Sequence, residues 1–261
     1  MATGPYWNEM DMQANGEVPR ILALGDSWFC YPANNLLNPI FNEVNGAVIL
    51  GQGANGAEAE QMAHPRYLEP FESALRGYPS IKAVLISAGG NDFAGLEDLP
   101  LILREDCTGA EYADQCYRNG QPDILLDSVG GFVGTLIDSA RRLRPGARIL
   151  LHNYDYAIPD GRGFLGFGQW LKAPMDDALV PKPEELEFGS LRREIVRMLI
   201  DGLAERLRPL ADADPDRVTF IETAGTLTDV QWANELHPTP GGFTRVARRF
   251  TPALHEALEI G

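Results

Sequence analysis

Apolar residues in this chain fall into two kinds of run, short unbroken ones and longer spaced ones, and the two kinds alternate. The short runs are Arg20–Leu24, Ala47–Leu50, Ala83–Ser87, Arg148–His152 and Arg217–Ile221. They are continuously apolar rather than alternating, which predicts parallel strands covered on both faces. The longer runs have helical spacing. In Asp123–Arg144, Val129, Phe132, Val133, Leu136 and Ile137 recur at intervals of three and four. Glu184–Leu210 repeats Leu, Ile, Val and Met in the same way, and Pro240–Ile260 forms a third such stretch with Pro240 suited to a first helical turn. Strands alternating with helices predict the α/β class. The expected architecture is a three-layer α/β/α sandwich around a flavodoxin-like, parallel, five-stranded sheet in one domain.

One long stretch fits neither pattern. Between Tyr154 and Pro183, glycines at 161, 163, 166 and 168 are interleaved with Phe164, Phe167 and Trp170. This predicts a lid-like or surface insertion. The Gly161-x-Gly163-x-x-Gly166 spacing matches a dinucleotide fingerprint only superficially, because no first strand-turn-helix unit contains it.

Composition narrows the function classes. A chain of 261 residues with 44% hydrophobic content can bury a large core without metal or disulfide support. The formal charge of -15 argues against a nucleic-acid partner, a polyanionic substrate or an anionic membrane surface. No apolar run approaches a membrane span, and the first twenty residues lack the pattern of a signal peptide. A soluble protein is expected, cytoplasmic or the mature form of a secreted one. Cys107 and Cys116 lie close enough to bond or to remain thiols, and Cys30 reads as a packing residue.

The chemistry is carried by polar turns that follow the strands. Ser27 stands just after the first strand, in Gly25-Asp26-Ser27-Trp28. A serine there is held by a rigid element at the end of the sheet where ligands bind in open α/β folds. It needs a base, and His237, ahead of the last helix, is the best placed. His64, His152 and His255 compete poorly: the first precedes a proline, the second closes a strand as a wall residue, and the third sits late in the last helix. Oxyanion donors are available from the Ser27 amide, from a glycine in Gly51–Gly56 and from the side chain of Asn91 in Gly90-Asn91-Asp92. Trp28, Tyr154 and Asp155 are placed to touch a substrate. No metal-ligand spacing or phosphate loop is visible.

Gly25-Asp26-Ser27-Trp28, Gly90-Asn91-Asp92 and His237-Pro238, in this order, resemble the GDSL-like, or SGNH, hydrolase family across roughly Arg20 to Leu258. The resemblance implies a metal-free serine esterase or lipase-like enzyme, needing no cofactor and acting on a small-molecule, lipid or carbohydrate ester. Ser27 would be the nucleophile and His237 the base. Ser27, Gly56 (with Gly53 the alternative) and Asn91 would form the oxyanion hole. Two positions depart from the family pattern. Trp28 replaces a leucine, and Asn234 stands where an aspartate is usual, three residues before the histidine. Asn234 is expected to orient the ring, with Glu235 and Asp229 as alternative acids. An asparagine fixes the tautomer through its carbonyl oxygen but supplies no full charge. This leaves two further readings beside hydrolysis: a binding protein that kept the fold, and an acyltransferase using the same serine.

Overall fold

The computed structural model describes residues 4–32, 34–163, 168–182 and 190–259. Five strands, β1 (Ile21–Gly25), β2 (Ile49–Gly53), β3 (Ala83–Ser87), β4 (Arg148–His152) and β5 (Val218–Ile221), form one sheet in the order β2-β1-β3-β4-β5. Every pairing is parallel. The helices are α1 (Glu9–Ala14), α2 (Ser27–Cys30), α3 (Leu37–Glu43), α4 (Ala59–Ala63), α5 (Pro65–Gly77), α6 (Leu99–Ile102), α7 (Gln121–Leu143), α8 (Lys172–Asp177), α9 (Leu191–Asp212) and α10 (Pro240–Leu258). No helix of the described residues is long and apolar enough to cross a membrane.

The expected three-layer α/β/α sandwich, with its flavodoxin-like sheet, is the observed fold. Helices α3 and α10 pack together on one side of the sheet, and α4, α5, α7 and α9 pack against one another on the other. All residues of β1 and β3 are buried, which explains why their sequences are apolar without alternation. β1 lies between β2 and β3, both of which follow it in sequence, so the chain's connections run in both directions from β1. In this strand order the crevice beyond the carboxyl ends of β1 and β3 is the natural ligand site.

The sequence-based boundaries need one physical correction. Gly51, Gln52 and Gly53 were expected to lie in a turn, but they continue β2, with Gly53 paired to Gly25. Two glycines meet there because the strands approach closely. A Cβ on Gly53 would fall 1.8 Å from the Gly25 carbonyl oxygen, and its φ of +122° suits only glycine. The expected helix over 184–210 begins in the described residues at Leu191, capped by the Ser190 hydroxyl, and runs to Asp212. Residues 184–189 lie outside the described residues.

The described parts of the 154–183 insertion are fastened to the body. Arg162 Nη1 donates to the Trp232 carbonyl, and the amides of Gly161, Leu171 and Lys172 donate to the Glu235 carboxylate at 2.9 Å each. Residues 164–167 and 183 of that insertion lie outside the described residues. Cys107 and Cys116 are both buried, unbonded thiols.

Gly53→Ala is expected to destabilise the protein by about 3 kcal/mol, from steric strain at a special backbone position. Gly131→Ala, on the exposed side of α7 with open space around its Cβ direction, should instead stabilise by about 0.5–1 kcal/mol. Paired denaturant titrations give the two signs directly.

Candidate active site

Three strand exits meet at one edge of the sheet. β1 delivers Asp26 and Ser27, β2 delivers the turn at 54–57, and β3 delivers Gly89–Asp92. Asp26 caps the four-residue helix α2 by accepting from the Trp28 amide at 3.0 Å. This makes Ser27 the first residue of that helix, buried but for 7% of its surface.

His237 comes to Ser27 from the segment before α10. Its Nε2 lies 2.8 Å from Ser27 Oγ, and its Nδ1 lies 3.0 Å from Asn234 Oδ1. Asn234 cannot present its amide nitrogen instead. The same Oδ1 accepts the amides of Leu236 at 3.0 Å and His237 at 2.8 Å, so two backbone donors fix the oxygen toward the ring. The proton of the neutral imidazole therefore sits on Nδ1, leaving Nε2 to accept from the serine.

The alternative acids lie elsewhere. Glu235 points to the opposite side of the extended segment and is fully buried beneath Gly161, Leu171 and Lys172. Asp229 forms an exposed two-pronged pair with Arg193. Neither bonds to the imidazole.

The other two turns are tied to each other and to β1. Asn91 Nδ2 donates to the Ala57 carbonyl at 3.1 Å and to Asp26 Oδ2 at 3.3 Å. The Asp92 carboxylate accepts the Ala59 amide. Gly56 has a φ of +74° and open space where a side chain would stand, whereas Gly53 is locked in the strand pairing. Gly56 is thus the glycine of the two with free surroundings. Among the described residues, the Ser27 amide has no acceptor within the protein.

Beneath these donors lies a carboxylate whose part sequence reasoning missed. Asp26 is almost wholly buried and accepts from the Trp28 amide, the Ser87 hydroxyl at 3.1 Å and the Tyr154 hydroxyl at 2.6 Å, as well as from Asn91. Burial pushes its pKa up to about 6, against the downward pull of these donors. Asp92 is pushed up to about 7, mainly by burial, with Glu58 and Asp26 adding repulsion. Tyr154 reaches Asp26 from a backbone φ of +64°, a left-handed conformation unusual for a bulky residue.

Trp28, Tyr154 and Asp155 all border a cavity beside Ser27. Their polar atoms, however, already serve the protein. Trp28 Nε1 donates to the Leu236 carbonyl at 2.9 Å and so ties the serine turn to the histidine segment. The Asp155 carboxylate accepts from the amides of Tyr156, Gly225 and Leu227. His152 is a wall residue, stacked on Trp28 and Phe29 under the serine turn, and burial lowers its pKa to about 3. Sequence reasoning also missed Tyr31, whose ring stacks on His237 with centroids 4.3 Å apart and planes 21° apart. The available signal was its position four residues after Ser27, one helical turn on. Among the described residues no group of three or more His, Cys, Asp or Glu side chains is arranged to hold a metal ion.

Burial lowers the pKa of His237 to about 4. The unfolded chain therefore binds more protons than the folded one between about 6.5 and 4, and this residue's contribution to stability is lost as pH falls through that window. Titrated by NMR, the His237 ring should stay neutral down to about pH 4. In Asn234→Asp the midpoint should move to higher pH, because a carboxylate favours the imidazolium.

No protein-family model and no curated protein matches the sequence. Solved structures do match in three dimensions. The lipase Lip_vut3 from a goat rumen metagenome is 12% identical over 90% of this chain and 97% of its own, with a TM-score of 0.56. The extracellular lipase of Streptomyces rimosus is 14% identical over 92% of this chain and 100% of its own, also at 0.56. A carbohydrate acetylesterase family member from Sinorhizobium meliloti is 13% identical over 93% of this chain and 100% of its own, at 0.54. A protein from Parabacteroides merdae, described provisionally as a GDSL-like lipase, is 12% identical over 94% of this chain and 99% of its own, at 0.54. With its all-parallel five-stranded sheet between two helical layers, the chain has the fold of the GDSL-like, or SGNH, hydrolases.

Proposed function

We propose that this protein is a serine hydrolase of carboxylic esters, working through an acyl-enzyme on Ser27. The observation that carries the proposal is the continuous chain of contacts from Ser27 Oγ through His237 to Asn234 Oδ1, with distances of 2.8 and 3.0 Å.

In the first step Ser27 Oγ attacks the ester carbonyl carbon while His237 Nε2 takes its proton. The carbonyl oxygen becomes an oxyanion, facing the Ser27 amide, the Gly56 amide and Asn91 Nδ2. Asn91 exchanges its long 3.3 Å bond to Asp26 for this acceptor. One such donor is worth on the order of 3 kcal/mol of transition-state stabilisation. The leaving alkoxide takes the proton from Nε2. Water then attacks the acyl-serine as His237 Nε2 accepts its proton, and collapse of this second tetrahedral intermediate breaks the acyl–Oγ bond, with Oγ taking the proton back from Nε2 as the carboxylic acid leaves.

Asn234 sets the limits of this machine. Its oxygen holds the productive tautomer, which removes the defect that costs a Ser-His-Asp enzyme about 10⁴ in turnover when its aspartate becomes a misoriented amide. It does not neutralise the imidazolium. With the ring buried, the neutral base is available well below pH 6.5, and without a carboxylate beside it the charged intermediate is supported less.

The decisive test pairs turnover with labelling. Wild type should hydrolyse p-nitrophenyl esters and be modified at Ser27 by a phosphonate probe, and Ser27→Ala should lose both, with activity down at least 10³-fold. A Ser27→Ala protein that kept its ester turnover would overturn the proposal. Stoichiometric labelling with acyl transfer to added alcohol in preference to water would point instead to an acyltransferase.

A further inference from the structure

We propose that the cavity beside Ser27 is the acyl site and takes short, uncharged hydrocarbon acyl groups, from acetyl to butyryl. This rests on the ester-hydrolase reading above and names the half of the substrate it leaves open. The cavity is bordered by Ser27, Gly90 and Asn91 but not by His237. The alcohol half of an ester must leave beside Nε2, which protonates it. The cavity, which Ser27 and Asn91 border and the imidazole does not, is therefore left for the acyl half.

Its wall is apolar: Phe93, Ala157, Leu171, Val196, Leu199 and Ile200. The carboxylates that border it, Asp26 and Asp155, have their oxygens bonded to protein donors, and among the described residues no cationic one lines it. A hydrocarbon chain fits such a wall, whereas a second carboxylate on the acyl group would meet two acidic side chains and no positive partner. Size sets the length. The space is about 40 Å³. That is about a quarter of the roughly 150 Å³ cavity that admits benzene, which suits a chain of only a few carbons. Leu199 borders both this cavity and the outer groove that contains Tyr117, Asp123 and Arg206.

The test is a series of p-nitrophenyl acetate, butyrate and octanoate, with the monosuccinate as the charged counterpart of butyrate. The expected result is a kcat/KM at least tenfold higher for butyrate than for octanoate, and tenfold higher for butyrate than for the monosuccinate. Leu199→Ala, if it folds, should narrow the first ratio by opening the cavity to the groove. Octanoate hydrolysed as well as butyrate by wild type would overturn the length assignment, and the monosuccinate hydrolysed as well as butyrate would overturn the charge assignment, with the hydrolase reading intact in both cases. Absence of turnover on every ester, with Ser27 also unlabelled, would remove the hydrolase reading and this inference together.

A separate observation bears on the missing charge at Asn234. We infer that Tyr31 is a positioning residue whose ring supports the His237 imidazolium. The two rings are stacked at 4.3 Å, and the face of a tyrosine attracts a cation within about 6 Å of its centroid. The attraction is absent while the imidazole is neutral and appears when Nε2 takes the serine proton, so it acts on the transition state rather than on the resting site. Tyr31→Leu should lower kcat/KM about five- to tenfold, and Tyr31→Phe, which keeps the ring, should restore most of it. In the Asn234→Asp background the same Tyr31→Leu change should cost less than threefold, because a full charge then supports the ring. Equal losses in both backgrounds, or no rescue by phenylalanine, would overturn the inference and leave Tyr31 a packing residue.

Discussion

The Asn234 carbonyl oxygen receives three N–H groups, two from the backbone and one from the imidazole, and the geometry around Ser27 depends on that convergence. An amide side chain has a donor end and an acceptor end of nearly the same shape. Left free, it would be as ready to offer one as the other. The two backbone amides remove the choice, at the cost of fixing the 234–237 segment in one conformation. Trp28 then reaches across to the Leu236 carbonyl and sets that segment against the serine turn. The serine and the imidazole are thus brought to register by contacts that neither residue makes itself.

A second layer of constraint lies below the reacting groups. Asp26 collects hydrogen bonds from β1's own turn, from β3 through Ser87, from the turn after β3 through Asn91 and from the turn after β4 through Tyr154. A buried carboxylate with no cation beside it is held by these donors alone. Each belongs to a different segment, so the carboxylate acts as a hub that prevents the strand exits from moving independently. The left-handed backbone at Tyr154 fits this account, because the strain is offset where its hydroxyl meets Asp26 and its amide meets His152.

Much of this was legible in the sequence because strands buried on both faces leave an unmistakable signature. β3 and β4 occupy the expected residues, and the positions of Ser27, Asn91 and His237 follow once each strand is known to end in a turn at the same edge. What stayed hidden depends on three-dimensional approach. Gly51 to Gly53 read as a turn because glycine is common there, yet the close approach of β1 demands glycine at 53 and the Trp7 ring leaves no room for a side chain at 51. Glu235 looked like a candidate acid because it neighbours the expected position. Only its burial beneath the amides of Gly161, Leu171 and Lys172 reveals it as an anchor for that part of the chain. The role of Tyr31 required knowing that the segment after α2 passes over the imidazole.

The serine and its histidine stand 210 positions apart along the chain. During synthesis the serine is made well before the imidazole, which emerges only with the segment ahead of α10. Segments that pair so distantly must close a large loop before they are rewarded for it. A nascent chain of this protein therefore displays Ser27 long before it has His237, and the hydrogen-bonded couple is completed late in folding rather than stepwise along the chain.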